Sequence, residues 1–129
     1  MSVPITALYA GLSALLLIIL SARISRLRMR AQVGIGDGGN QDLARAIRVQ
    51  GNFIEYAPLA LLLILLAEAG GMPSWAIHTL GAGLVIGRLL HAIGLSGSVG
   101  VSAPRFIGTT LTWLVLLAGG ILAIYSAFA

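Results

Sequence analysis

The chain has 129 residues, 58% of them hydrophobic and 9% charged, with a mean hydropathy of +1.00. A soluble domain of this size has no interior large enough for that much apolar surface, so the composition specifies an integral membrane protein. The absence of cysteine excludes disulfides, thiolate metal sites and a cysteine nucleophile, and the net charge of +4 comes from arginines confined to membrane-flanking stretches, which excludes a nucleic-acid footprint.

Apolar segments at 3–22, 51–70, 74–95 and 106–129 each approach the ~20 residues that cross ~30 Å of hydrocarbon. The expected fold is all-α, a four-helix transmembrane bundle in one domain over 1–129. Its helices are expected at about 3–22, 43–70, 74–95 and 104–129, with a cytoplasmic loop over 23–42. The first segment lacks a basic n-region and is too long for a signal-peptide core, so it reads as a helix and not as a cleaved leader. Arg23, Arg26, Arg28 and Arg30 follow it.

In the loop AQVGIGDGGNQD, Gly34, Gly36 and Gly39 fall in a G-x-G-x-x-G pattern. That pattern cradles phosphates only between a strand and a helix, so here it reads as a turn. GGMPS at 70–74 is a tight turn that makes helices two and three an antiparallel hairpin, and SGSVGVSAP at 96–104 breaks the chain again. All the arginines fall on one side of this layout, Glu68 on the other. The positive-inside rule then places the arginine side in the cytoplasm and both termini outside.

The second segment opens with polar groups on a helical spacing. At 100° per residue Arg48, Asn52, Glu55 and Tyr56 share one stripe, Arg45 joins it one turn earlier, and Gln50 points almost the opposite way. Arg45 and Arg48 fall at headgroup level, with Glu55 a few Å inside. On helix three, Arg88 and His91 sit one turn apart at a similar depth. An ionised group inside a membrane needs a partner, and Glu55 and Arg88 are each other's candidates. The whole set suits a small ligand that carries carboxylates and an ammonium, because guanidinium forks suit carboxylates and Glu55 suits an amine. The adjacent lipid supplies an apolar second substrate.

Other features read as structural. His78 is an interfacial hydrogen-bonding residue with no second metal ligand nearby, so no metal site is expected. Trp75, Trp113 and Tyr125 suit interfacial belts or packing, and Gly83 with Gly87, and Gly119 with Gly120, suit close helix contacts.

The stretch RVQGNFIEYAPL resembles the helix-two signature of the membrane-associated proteins in eicosanoid and glutathione metabolism, the MAPEG family, through Arg48, Asn52, Glu55, Tyr56 and Pro58. GRLLH, ending at His91, resembles its helix-three motif, and SAPRF, carrying Arg105, resembles its helix-four start. The chain thus looks like a bacterial-type member similar to the microsomal glutathione transferases and glutathione-dependent prostaglandin E synthase. The resemblance implies a homotrimer in the bacterial inner membrane, with glutathione as substrate or cofactor and a lipophilic small molecule as its partner in reaction. It implies that Arg48, Asn52, Glu55 and Tyr56 hold glutathione, that Arg88 and His91 close the pocket, and that Arg105 stabilises the thiolate; Arg45 joins the ligand-binding set by its place on the stripe. Gln50 would reach a site shared with the next subunit, and the helix-one arginine given across that interface would be Arg26 or Arg28.

Leu95 stands where the family often has a second aromatic, and Arg105 is slightly off the usual spacing from His91. These departures leave open a non-catalytic, glutathione-binding or scaffold member of the same fold. A small four-helix exporter of lipophilic cations is a further alternative. It is disfavoured because helix one has no acid and Glu55 stands among arginines.

Overall fold

A computed structural model describes residues 1–97, 100 and 102–129 of the chain. It contains α1 (Pro4–Ala31), α2 (Gln41–Ala69), α3 (Ser74–Gly97) and α4 (Ala103–Phe128), and no strand among the described residues. All four helices are long and apolar enough to cross a membrane, as the composition requires. Of the predicted break at 96–104, residues 98, 99 and 101 lie outside the described residues.

The main departure from the sequence-based boundaries is at the end of α1. The helix continues past its apolar segment to Ala31, so the connection to α2 shortens to residues 32–40. Arginine is a good helix former, and leaving the hydrocarbon removes no backbone hydrogen bond. The helix ends where Gln32 turns left-handed at φ 56°. Arg28 then closes the loop, its Nη1 donating to the carbonyls of Val33 (3.3 Å) and Gly36 (2.8 Å). Gly36, Gly38 and Gly39 all adopt positive φ, so the glycines of this loop serve backbone reversal, as expected of a turn. The Asn40 side chain caps α2 by accepting from the Leu43 N–H at 3.0 Å.

At its other end α1 has no local cap, because Val3 precedes Pro4 and offers no side-chain acceptor. Glu68, near the end of α2, supplies one, accepting from the N–H groups of Ile5 (3.0 Å) and Thr6 (2.7 Å). A carboxylate on first-turn amides also opposes the positive end of the helix dipole. Glu68→Ala is expected to lower the melting temperature in detergent by a few degrees, with Glu68→Gln losing less; an unchanged melt would remove this cap from the account. Close by, Tyr9 Oη and His78 Nδ1 share a hydrogen bond of 2.9 Å with the rings edge to face, so His78 is indeed a hydrogen-bonding residue that ties α3 to α1.

The core runs the length of the bundle. Ile64, Ile77 and Leu84 fill the Glu68 end, Val49, Phe53 and Leu95 the middle with Leu20, and Ile24, Leu43 and Ala46 the arginine end. Helix α3 packs on all three others and lies closest to α4. Glycine makes that approach possible: a Cβ on Gly108 would lie 2.5 Å from the Gly87 carbonyl oxygen and the His91 nitrogen, and one on Gly94 would lie 2.5 Å from the Arg105 nitrogen. Gly83 and Gly119 also face neighbouring helices, against Val115 and Leu63, whereas Gly120 faces open space.

Candidate functional site

Helix periodicity places Arg45, Arg48, Asn52, Glu55 and Tyr56 along one side of α2, and the glycine contacts between α3 and α4 bring Arg105 to the same end of the bundle. Arg45, Arg48 and Arg105 line one cleft of about 230 Å³ together with Gln41, Ala44 and Leu95. Ser102 caps α4 at Arg105, accepting from its N–H at 3.4 Å, and Arg105 Nη1 donates to the Gly100 carbonyl at 3.3 Å. These local contacts order the start of α4.

The expected pairing of Glu55 with Arg88 is corrected. Glu55 receives both terminal nitrogens of Arg48 in a fork, at 3.0 and 2.9 Å, on the half-exposed face of α2. The partners are two turns apart on one helix, a rise of about 10 Å that two extended side chains span. Arg88 instead points inward, is 3% exposed, and makes its hydrogen bonds to neutral partners. Its Nε donates to Thr112 Oγ1 at 3.0 Å and its Nη1 to Asn52 Oδ1, while the Tyr56 ring lies 5.5 Å from the guanidinium carbon. Arg88 Nη2 is enclosed and has no hydrogen-bond partner among the described residues; the same holds for Arg45 Nε, although Arg45 Nη2 reaches Asp42 at 2.6 Å. Buried guanidinium groups with unmatched N–H donors favour an anionic ligand nearby.

None of the remaining candidates lines this cleft. His91 is buried beneath Arg88, where its backbone meets Gly108. Gln50 faces α1, its Nε2 donating to Ser21 Oγ at 2.7 Å, in keeping with its direction on the helical wheel. Arg26 is exposed on α1, and Arg28 holds the 32–40 loop. A larger hollow of about 470 Å³ between α3 and α4 lies at the opposite end, lined by Trp75, Leu80 and Ile121, and contains none of the candidate residues.

Sequence reasoning missed Thr112, the Arg23–Ser96 bond (2.5 Å) that ties α1 to the end of α3, and the glycine pair Gly94 and Gly108. For Gly94 a signal was present, since Gly87 and Gly94 recur at heptad spacing on one face of α3. Thr112, one of three threonines at 109, 110 and 112 in an otherwise apolar stretch, gives none.

A family model described as "MAPEG family" matches residues 6–125. The inner membrane protein YecN of Escherichia coli strain K12 is 43% identical over 113 residues, covering 88% of this chain and 85% of that protein. YecN of Escherichia coli O6:H1 strain CFT073 matches to the same extent, 43% over 113 residues.

Proposed function

Because the chain belongs to the MAPEG family, we propose that it is a glutathione-dependent membrane transferase or peroxidase acting on lipophilic electrophiles or lipid hydroperoxides. The observation that carries this reading is the cleft in which Arg105 of α4 meets Arg45 and Arg48 of α2. Glutathione brings two carboxylates, an ammonium and a thiol. Guanidinium forks suit the carboxylates, Glu55 suits the ammonium, and Asn52 and Tyr56 complete the pocket, closed from behind by the buried Arg88 and His91. Gln50, with Arg26 or Arg28, serves the neighbouring subunit of a homotrimer. The site faces the cytoplasm of a bacterial inner membrane, with both termini outside.

Arg105 holds the thiolate. A guanidinium beside the sulfur favours its charged form and lowers the thiol pKa from about 8.5. The thiol proton leaves to water, the sulfur forms a bond to the electrophilic carbon, and the electron pair of the breaking bond departs with the leaving group. The bilayer concentrates the apolar partner beside the cleft. Leu95 favours a second reading, a glutathione-binding member without turnover. It is packed against Leu20 and Phe53 and brings no polar group to the cleft it lines.

The test is glutathione titration and aryl-halide conjugation with detergent-purified protein. Wild type that does not bind glutathione would sink the proposal, and binding without conjugation or peroxide reduction would select the second reading. Arg105→Ala is expected to bind glutathione within about threefold of wild type but to turn over about tenfold more slowly at pH 7, one pKa unit of lost thiolate. Its rate should recover above pH 9, where the thiol ionises unaided. Unchanged turnover at pH 7 would move the thiolate role to Arg26 or Arg28.

A further inference from the structure

Behind the exposed α2 stripe lies a second, enclosed layer of polar groups. Thr112 on α4 is fully buried, and its hydroxyl donates to the Gly108 carbonyl of its own helix at 2.9 Å. The single hydroxyl proton is thereby committed, so the oxygen faces Arg88 as an acceptor and receives its Nε at 3.0 Å. Arg88 Nη1 in turn reaches Asn52 Oδ1, and the Asn52 main-chain carbonyl at 3.4 Å. A guanidinium is planar, so holding Nε and Nη1 fixes its whole plane. It also has donors only, so the Asn52 atom turned to it is the amide oxygen. The Asn52 NH2 is left on the other branch of the amide, and Asn52 itself is half-buried on α2.

We infer that Thr112 and Arg88 form a buried relay that orients the Asn52 amide, so that position 52 presents a hydrogen-bond donor to the ligand. Thr112 is a positioning residue: it acts through Arg88 and does not touch the ligand. The consequence for recognition is a fixed polarity along the stripe. Asn52 takes an oxygen acceptor, a carbonyl or carboxylate, while Glu55, an acceptor only, takes a donor. A ligand with these groups reversed is excluded. The inference rests on the glutathione reading and adds to it the residues that set the direction in which the tripeptide lies.

The experiment compares glutathione KM and kcat for wild type, Thr112→Val, Thr112→Ser, Asn52→Asp, Asn52→Ala and the Thr112→Val/Asn52→Ala double variant. Thr112→Val keeps the shape and loses the hydroxyl. It is expected to raise KM about tenfold, the effect of one lost hydrogen bond to a charged group, with kcat within about twofold. Thr112→Ser restores the hydroxyl and should return KM to near the wild-type value. In an Asn52→Ala background the valine should have no further effect. Asn52→Asp gives Arg88 an ion-pair partner, so it should melt no lower than wild type, yet it turns an oxygen toward the ligand's acceptor and should lose glutathione binding. That variant keeps the test open even where Thr112→Val folds poorly. The relay is overturned if Thr112→Val has wild-type KM, if its effect persists undiminished over Asn52→Ala, or if Asn52→Asp binds glutathione normally. Wild type that does not bind glutathione overturns the underlying reading and this inference together.

Discussion

Glu55→Gln is expected to weaken glutathione binding about thirtyfold to a hundredfold, the loss that follows when one partner of a charged hydrogen-bonded pair is removed. The other acids are engaged elsewhere: Asp37 accepts from the Gly39 N–H, Asp42 pairs with Arg45, and Glu68 caps α1. Glu55 is therefore the carboxylate on this stripe that can receive an ammonium, once it exchanges Arg48 for the ligand. The substitution also releases the Arg48 fork and raises the positive charge of the cleft, so carboxylates on the ligand should still be attracted. This gives the effect a signature. N-acetylglutathione, which has no ammonium, should bind wild type and Glu55→Gln with nearly equal affinity, while glutathione should separate them. Calorimetric titration in detergent reads both ratios. Equal binding of glutathione by the two proteins would remove the ammonium role from Glu55.

Gly108→Val should cause a large loss of stability. The added Cβ would stand 2.5 Å from both the Gly87 oxygen and the His91 nitrogen. These are backbone atoms of α3, so no side chain can rotate to relieve the contact and the two helices must separate. Overpacking of a well-filled interior costs about 1–3 kcal/mol and more when backbone must move. The displacement would carry Thr112 away from Arg88 and Arg105 away from the cleft, so ligand binding should fall with stability. Gly120→Ala is the matched control, since nothing lies within 4 Å of its added carbon, and it should melt like wild type. A Gly108→Val protein with a wild-type melting temperature would show that α3 and α4 do not approach so closely.

Much of the architecture is legible from residue spacing. Four apolar runs specify four helices because each must satisfy its own backbone in lipid, and the 3.6-residue repeat separates Arg48, Asn52 and Glu55 from Gln50 without any tertiary knowledge. The end of α1 was not legible, because hydropathy marks where the hydrocarbon stops and not where a helix stops. The partner of Glu55 was misjudged for a related reason. Depth suggested Arg88, but depth leaves azimuth open, and Arg88 points between α2 and α4 toward Asn52 and Thr112. Only the close packing of α3 on α4 decides that direction, and it depends on Gly108, whose role no local pattern announces.

The cap on α1 has a consequence for how the chain enters a bilayer. The amide groups of Ile5 and Thr6 meet their carboxylate more than sixty residues later in synthesis, at Glu68. Until the far end of α2 has crossed, the first helix carries open N–H groups at its tip, which hydrocarbon penalises and only the interfacial water satisfies. The first two helices therefore reach their finished state as one hairpin, and a chain halted before Glu68 holds α1 in the membrane with its tip tethered to solvent.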